Sequence, residues 1–283
     1  TKIKTKERKL KTLKNLAALF ALTQLLFISC DFNPDETLVE SKNYETADIE
    51  RVIGNFTYEN IEIITTNRSD ILVEIMSSDE DRIPDITLSE KTLSIESEVL
   101  MSGFQSCSVY VYLPTDFVPT TTKVDTISGW VRIKNLSTPT LSITTTSGDI
   151  TLTNISANKI DADSTSGTIN TTKIETSSLT AETTSGNIKS SELTCDNFSI
   201  NSTSGDATLN VKNQLTKDSS IRTISGQIKL TVPEDSNFKV YVKSTSGKFR
   251  DNIKDSSCHP KDSHTFTYGT GGIEISMTST SGS

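Results

Sequence analysis

Thr144 to Ile155 reads TTTSGDITLTNI. Nineteen residues on, Asp163 to Ile174 reads DSTSGTINTTKI, and Glu182 to Leu193 reads ETTSGNIKSSEL. A fourth copy, NSTSGDATLNV, runs from Asn201 to Val211. The Ser-Gly pairs put glycines at Gly129, Gly148, Gly167, Gly186, Gly205, Gly226 and Gly247, with a last one at Gly282. Their intervals are 19, 19, 19, 19, 21, 21 and 35 residues. A short fixed period marks structural units that stack on one another. These units are rich in alternating Thr, Ile and Val, which reads as strand rather than helix.

Reading down the repeat gives a core. Two residues after the glycines stand Val131, Ile150, Ile169, Ile188, Ala207, Ile228 and Phe249, and seven after stand Leu136, Ile155, Ile174 and Leu193. Seven before each glycine stand Leu141, Ile160, Leu179, Phe198, Ser219 and Val240; five before stand Ile143, Ala162, Ala181, Ile200, Ile221 and Val242. Three before is always a small hydroxyl: Thr145, Ser164, Thr183, Ser202, Thr223 and Ser244. Steps of two put these last three columns on one face of a strand, so each coil buries like against like. The expected fold is all-β: a single-chain β-solenoid with coils of 19–21 residues over 124–283, expected to be a right-handed β-helix, capped by N-terminal β-strands over 51–123. The Ser-Gly pair reads as a structural corner. Glycine is expected there for a backbone conformation that other residues resist, and the hydroxyls for hydrogen bonds inside a tight turn.

The 283 residues allow one large or two modest domains. The chain carries 28 Lys and Arg against 36 Asp and Glu, a net charge of -8. Seven of the bases and one of the acids fall within the first 30 residues; the remaining 21 bases and 35 acids give -14. Such a surface is a poor match for phosphate backbones, which excludes a nucleic-acid partner. No Ser-His-Asp set, P-loop or dinucleotide-binding glycine pattern appears, and no cofactor is expected.

The first 30 residues, TKIKTKERKLKTLKNLAALFALTQLLFISC, run from a basic start through an apolar stretch at 16–28 to Ser29-Cys30. That order reads as a secretory signal, and its apolar part is short of the ~20 residues that span a bilayer. The ending FISC resembles a bacterial lipobox, with Phe27 where Leu is usual. Residues 1–30 are therefore expected to be a lipoprotein signal peptide, with Cys30 lipidated and holding the protein to a membrane. Residues 31–50, beginning DFNPDETLVESKNYET, read as a flexible tether without structure of its own.

The repeat TTTSGDITLTNISANKIDADSTSGTI resembles the bacterial DUF4097 family, related to the adhesin head domains of GIN type. The stretches FTYENIEIITTNRSDILVEIM, KTLSIESE and SVYVYLPTDF resemble that family's N-terminal strands, and IKLTVPEDSNFKVYVKSTSGKF its C-terminal coils. The likeness covers about residues 51–283. It implies a β-helix and an adhesin-like role, and it carries no catalytic residues to transfer. The chain ends at STSGS, where that family adds one more short strand, so the final coil is expected to be incomplete or paired elsewhere. The segment RDNIKDSSCHPKDSHTFTYGTGG accounts for the interval of 35 and reads as a loop insertion.

Several residues merit weighing for chemistry. Asp163 and Glu182 lie on one outward column, four before their glycines, and neighbouring coils sit ~4.8 Å apart. They are the candidates for a shared cation or a carboxylate pair in a carbohydrate-active enzyme. Trp130, the sole tryptophan, could stack on a sugar or pack beneath the cap. Thr146, Thr165, Thr184, Thr203 and Thr245 form an outward column two before the glycines, read as ordinary β-formers rather than an ice-binding array. Cys107, Cys195 and Cys258 show no metal-ligand spacing, and their disulfide pairing stays open. Cys258-His259, with His264 the only other histidine, is too few ligands for zinc. The expectation is a non-catalytic lipoprotein of the bacterial cell envelope, at the outer membrane or cell surface. Its partners would be the membrane, through Cys30, and an envelope or host surface protein or glycan. The alternatives are a periplasmic envelope-stress component and, behind it, the carbohydrate-active enzyme.

Overall fold

A 19-residue period buries its apolar columns only if each turn of chain lies in register on the last, and the computed structural model of the protein has that register. It describes residues 36–81, 83–97, 106–246, 248–252, 256–258 (backbone only) and 263–281. The signal and Cys30, Gly247 and His259 lie outside the described residues.

Three long strands, numbered in chain order, are the centre: β11 (Ile150–Ser164), β12 (Ile169–Thr183) and β13 (Ile188–Ser202). They pair in parallel, Ile150 on Ile169 on Ile188 and Ile160 on Leu179 on Phe198. These side chains are buried at 1% exposure or less, as are Ala162, Ala181 and Ile200. Below them lie β8 (Thr121–Thr126), β9 (Val131–Lys134) and β10 (Ser137–Thr145). Above lie β14 (Ala207–Val211), β15 (Ser219–Thr223) and β16 (Ile228–Thr231). Where the period lengthens to 21, Asn213 stands in for missing ladder bonds: its amide accepts from the Cys195 N–H (3.0 Å) and donates to the Cys195 carbonyl (2.8 Å).

Each coil turns twice. One turn is the Ser-Gly corner. There the Gly148 carbonyl lies 1.8 Å from where a Cβ on Gly167 would stand, and the same holds at 1.9–2.0 Å at Gly148, Gly186, Gly205 and Gly226. None of these glycines has the positive φ that favours glycine. The reason for glycine is thus corrected: it is the close approach of the coil beneath, not an unusual backbone conformation. The hydroxyl three residues earlier ties the two coils together. Ser164 Oγ accepts the Gly167 N–H (2.7 Å) and donates to the Gly148 carbonyl (3.3 Å), and Thr183, Ser202 and Thr223 donate likewise to Gly167, Gly186 and Gly205.

The second turn has no glycine. Asn135, Asn154, Lys173 and Glu192, each six residues after a corner glycine, take φ of 56–58°. Asparagine tolerates this left-handed region; lysine and glutamate do not, at a cost of about 1–2 kcal/mol each. Lys173→Asn is expected to raise stability by about 0.5–1 kcal/mol, read as a higher urea midpoint with unchanged slope. It also places a third amide above the Asn154 Nδ2 that donates to Asn135 Oδ1 (2.9 Å).

The ends depart from the expected layout. At the N-terminal end, β1 (Thr37–Tyr44), β2 (Arg51–Asn55), β3 (Asn60–Thr66), β4 (Ile71–Ser77), β5 (Asp85–Ser89), β6 (Thr92–Glu96) and β7 (Cys107–Pro114) precede the repeat. β2 and β3 stack in parallel on β8 and β9, and β6 and β7 stack in turn on β2 and β3. Residues 51–123 therefore hold two further coils; the capping is done by β5, antiparallel on β6, and β4, antiparallel on β7. β1 pairs antiparallel with β4, so the expected tether of 31–50 is strand over Thr37–Tyr44. Glu59 takes the corner place in the first of these coils, its carbonyl against Gly129 and its carboxylate accepting the N–H groups of Thr57 (2.8 Å) and Tyr58 (2.9 Å).

At the other end lie β17 (Phe238–Ser244), β18 (Phe249–Asp251), β19 (Ser256–Cys258), β20 (His264–Tyr268) and β21 (Ile273–Ser279). The coils do not stack in chain order. β21 pairs in parallel with β15 on one side and β17 on the other, and β20 lies antiparallel on β17. The interval of 35 is thus no simple loop insertion: it reverses the chain and slides the last strand between two earlier ones.

Candidate binding surface

The outward columns beside the corner become one continuous feature. Backbone bonds run Ser128 N–H to Thr57, Ser147 to Ile127, Ser166 to Thr146, Ser185 to Thr165, Ser204 to Thr184, Ser225 to Thr203, Ser281 to Ile224 and Ser246 to Thr280. They place Thr57, Ile127, Thr146, Thr165, Thr184, Thr203, Ile224, Thr280 and Thr245 in one row. Thr57 could not be placed by the repeat, because its coil has Glu59 where the others have glycine; Thr280, two before Gly282, keeps the column. From Ile127 to Thr245 the row is exposed, with an exposed serine beside each residue.

Beside that ridge runs a groove of about 470 Å³, crossing five coils and lined by Thr144, Asp163, Glu182, Asn201 and Arg222 with Thr165, Thr184, Thr203 and Ile224 along its edge. The two expected carboxylates do meet here, Asp163 on Glu182 in the β11–β12 ladder. The Asn201 amide donates to Glu182 Oε1 (2.8 Å). Burial pushes the Asp163 carboxyl up from the usual aspartate range, and the charges of Glu182 and Asp161 push it further. The groove therefore offers a row of hydroxyls, a carboxylate pair, an amide and a guanidinium at the coil spacing. Its lining holds no histidine, cysteine or tyrosine, and Asp163 and Glu182 are its acid–base groups.

The raised Asp163 gives a signed prediction. A folded-state pKa above the unfolded value of about 3.8 destabilises the fold at pH values above the folded pKa, and the penalty vanishes below the unfolded one. Asp163→Asn is expected to raise the urea midpoint at pH 7, with the gain disappearing as pH falls below about 3.8.

The other candidates separate. Trp130 is half-buried, with the Arg132 guanidinium 4.1 Å from its ring centroid, so a cation covers one face of the ring. Cys107 and Cys195 are buried on different coils, and burial raises the Cys195 thiol to about 12, which makes it unreactive. Among the described residues, no three His, Cys, Asp or Glu side chains gather where a metal could sit. No helix among them is long and apolar enough to cross a membrane.

A parallel β-solenoid with a polar corner groove is the class of protein that fold and surface define. The chain belongs to the Toastrack DUF4097 family, whose sequence model matches residues 50–283. Among solved structures it is similar to a candidate lipid-binding protein of Parabacteroides distasonis, at 13% identity over 86% of this chain and 94% of that one, with a TM-score of 0.48. A candidate adhesin of the same organism matches at 14% identity over 85% and 98%, with a TM-score of 0.42. A candidate cell-adhesion protein of Clostridium sporogenes matches at 13% identity over 87% and 96%, with a TM-score of 0.37. A comparison with curated proteins finds no match.

Proposed function

We propose that this protein is a non-catalytic, adhesin-like protein of the bacterial envelope, held to a membrane by lipid on Cys30, whose corner groove binds an extended polar ligand, a surface glycan or protein segment. The corner groove carries this reading: the same hydroxyl pair recurs on successive coils, beside hydrogen-bonding side chains at fixed spacing. Affinity would come from many weak polar contacts rather than one dominant residue, as suits a surface read along its length. The basic, apolar and Cys30 order of the first 30 residues supports the anchor, and the charge of -14 beyond it favours an exposed, soluble body.

Protease shaving of intact cells tests location. Loss of the chain before the outer barrier is broken supports surface display; survival until then assigns it to the periplasm and removes adhesion. Binding of the protein, released by starting it at residue 31, to arrayed bacterial and host glycans tests the groove. Thr165→Lys with Thr184→Lys is expected to weaken such binding about tenfold or more, and equal binding by that variant overturns the groove as the contact.

A further inference from the structure

The corner groove has a direction, written in charge. The ladder stacks the residues four before the corner in one column: Asp125, Thr144, Asp163, Glu182, Asn201 and Arg222. The column continues through Thr278 of β21 to Lys243 of β17. Carboxylates occupy one end and cations the other. Glu182, Arg222 and Lys243 are exposed and fall on every second strand of the ladder, ~9.6 Å apart. Neither Arg222 nor Lys243 has an ion-pair partner among the described residues.

Two features of the groove say which kind of extended ligand fits it. Its lining has no aromatic ring on which a sugar could stack. It has instead a file of threonine hydroxyls, the Asn201 amide and the Arg222 guanidinium, all able to donate to carbonyl oxygens. A polyproline II helix presents such carbonyls, because it makes no internal hydrogen bonds. It has about three residues per turn, each rising about 3.1 Å, so side chains three apart recur every ~9.3 Å on one face. That repeat matches every second coil. A β-strand does not match, because its side chains alternate and residues three apart face opposite ways.

Resting on the reading of the groove as a binding surface, we propose that its occupant is a polyproline II segment of a partner protein. A basic residue of the segment lies over Glu182, an acidic residue three places on lies over Arg222, and a second acidic residue three further on lies over Lys243. Proline suits the positions between, since a segment already extended loses little freedom on binding. The exposed Ile224, two residues from Arg222, and the threonine methyls give the proline rings an apolar edge. The basic residue also lies near Asp163, where it offsets the repulsion from Glu182 and Asp161.

The charge order fixes no chain direction, so fluorescently labelled PPKPPEPPEPP and its reverse are both titrated with the full chain, at low salt. Saturable binding by at least one is expected. Binding about tenfold or more weaker is expected for the charge-inverted PPEPPKPPKPP, and for GGKGGEGGEGG, which keeps the charges without the preset backbone. Glu182→Lys with Arg222→Glu and Lys243→Glu, all exposed positions, is expected to reverse the preference between the first peptide and its charge-inverted form. Absence of saturable binding, equal binding by the inverted or the glycine peptide, or a preference that the charge reversal leaves unchanged overturns the proposal. Glycans that bind where the peptides do not, and that Thr165→Lys with Thr184→Lys weakens, would overturn it while leaving the groove as the contact. Peptide binding indifferent to Thr165→Lys with Thr184→Lys would overturn the groove itself.

Discussion

Gly167→Ala is expected to cost more than about 4 kcal/mol, enough to unfold a domain of ordinary stability. The added methyl would stand 1.8 Å from the Gly148 carbonyl oxygen and 2.5 Å from its carbon. Both atoms are backbone, and neither coil can move away cheaply. β11 and β12 are paired along their whole length, and β12 is paired again with β13 above. Lifting one corner breaks ladder bonds on both sides and separates Ser164 from the Gly148 carbonyl. Ser166→Ala, one residue away and exposed, is the control and is expected to stay within about 0.5 kcal/mol. Urea unfolding of the two variants decides the matter. Similar midpoints for both would mean that the corner glycines are chosen for flexibility and that the coils are not packed this closely.

That distinction marks how far the sequence carries. The columns of Ile150, Ile169 and Ile188, or of Leu179 and Phe198, were legible because identical chemistry at a fixed interval has one economical explanation, stacking in register. The existence of the corner was legible for the same reason. The cause of its glycine was not, since a close approach and a left-handed backbone both select glycine and only coordinates separate them. The second bend was hidden because Asn135, Asn154, Lys173 and Glu192 share a conformation but no chemistry. β1 was hidden because an edge strand half open to solvent, TLVESKNY, is as polar as a tether. The first coil was hidden because Glu59 replaces glycine and supplies its carboxylate to the turn amides in place of a serine or threonine hydroxyl. Of the functional surface, the outward pair Asp163 and Glu182 was found by counting, because register puts them together. The place of β21 between β15 and β17 was not, because it arises from the order of strands in space rather than from any motif.

The order of strands is itself testable at Ile275, and the expected effect is large. Ile275 stands seven before Gly282, with Met277 five before and Ser279 three before, so β21 obeys the same columns as every other coil. Nothing in that pattern says which neighbours it takes. In the structure Ile275 lies between Ser219 of β15 and Val240 of β17, at 0% exposure. A carboxylate there would be buried without a charge partner among those neighbours and would part both ladders at once. Ile275→Asp is therefore expected to cost more than about 4 kcal/mol, and Ile275→Ala about 2–5 kcal/mol. Stacking in chain order predicts a different result: Val240 would rest on Ser219, Ile275 would sit on the outermost strand, and Ile275→Asp would cost about 1 kcal/mol or less. Amide exchange localises the damage. With β21 intercalated, the aspartate releases β17 and β20 from the stack, because they reach it through β21, and both exchange rapidly while β11 to β13 stay protected. Continued protection of β17 in the aspartate variant would show that it rests on β15 and that the coils stack in chain order.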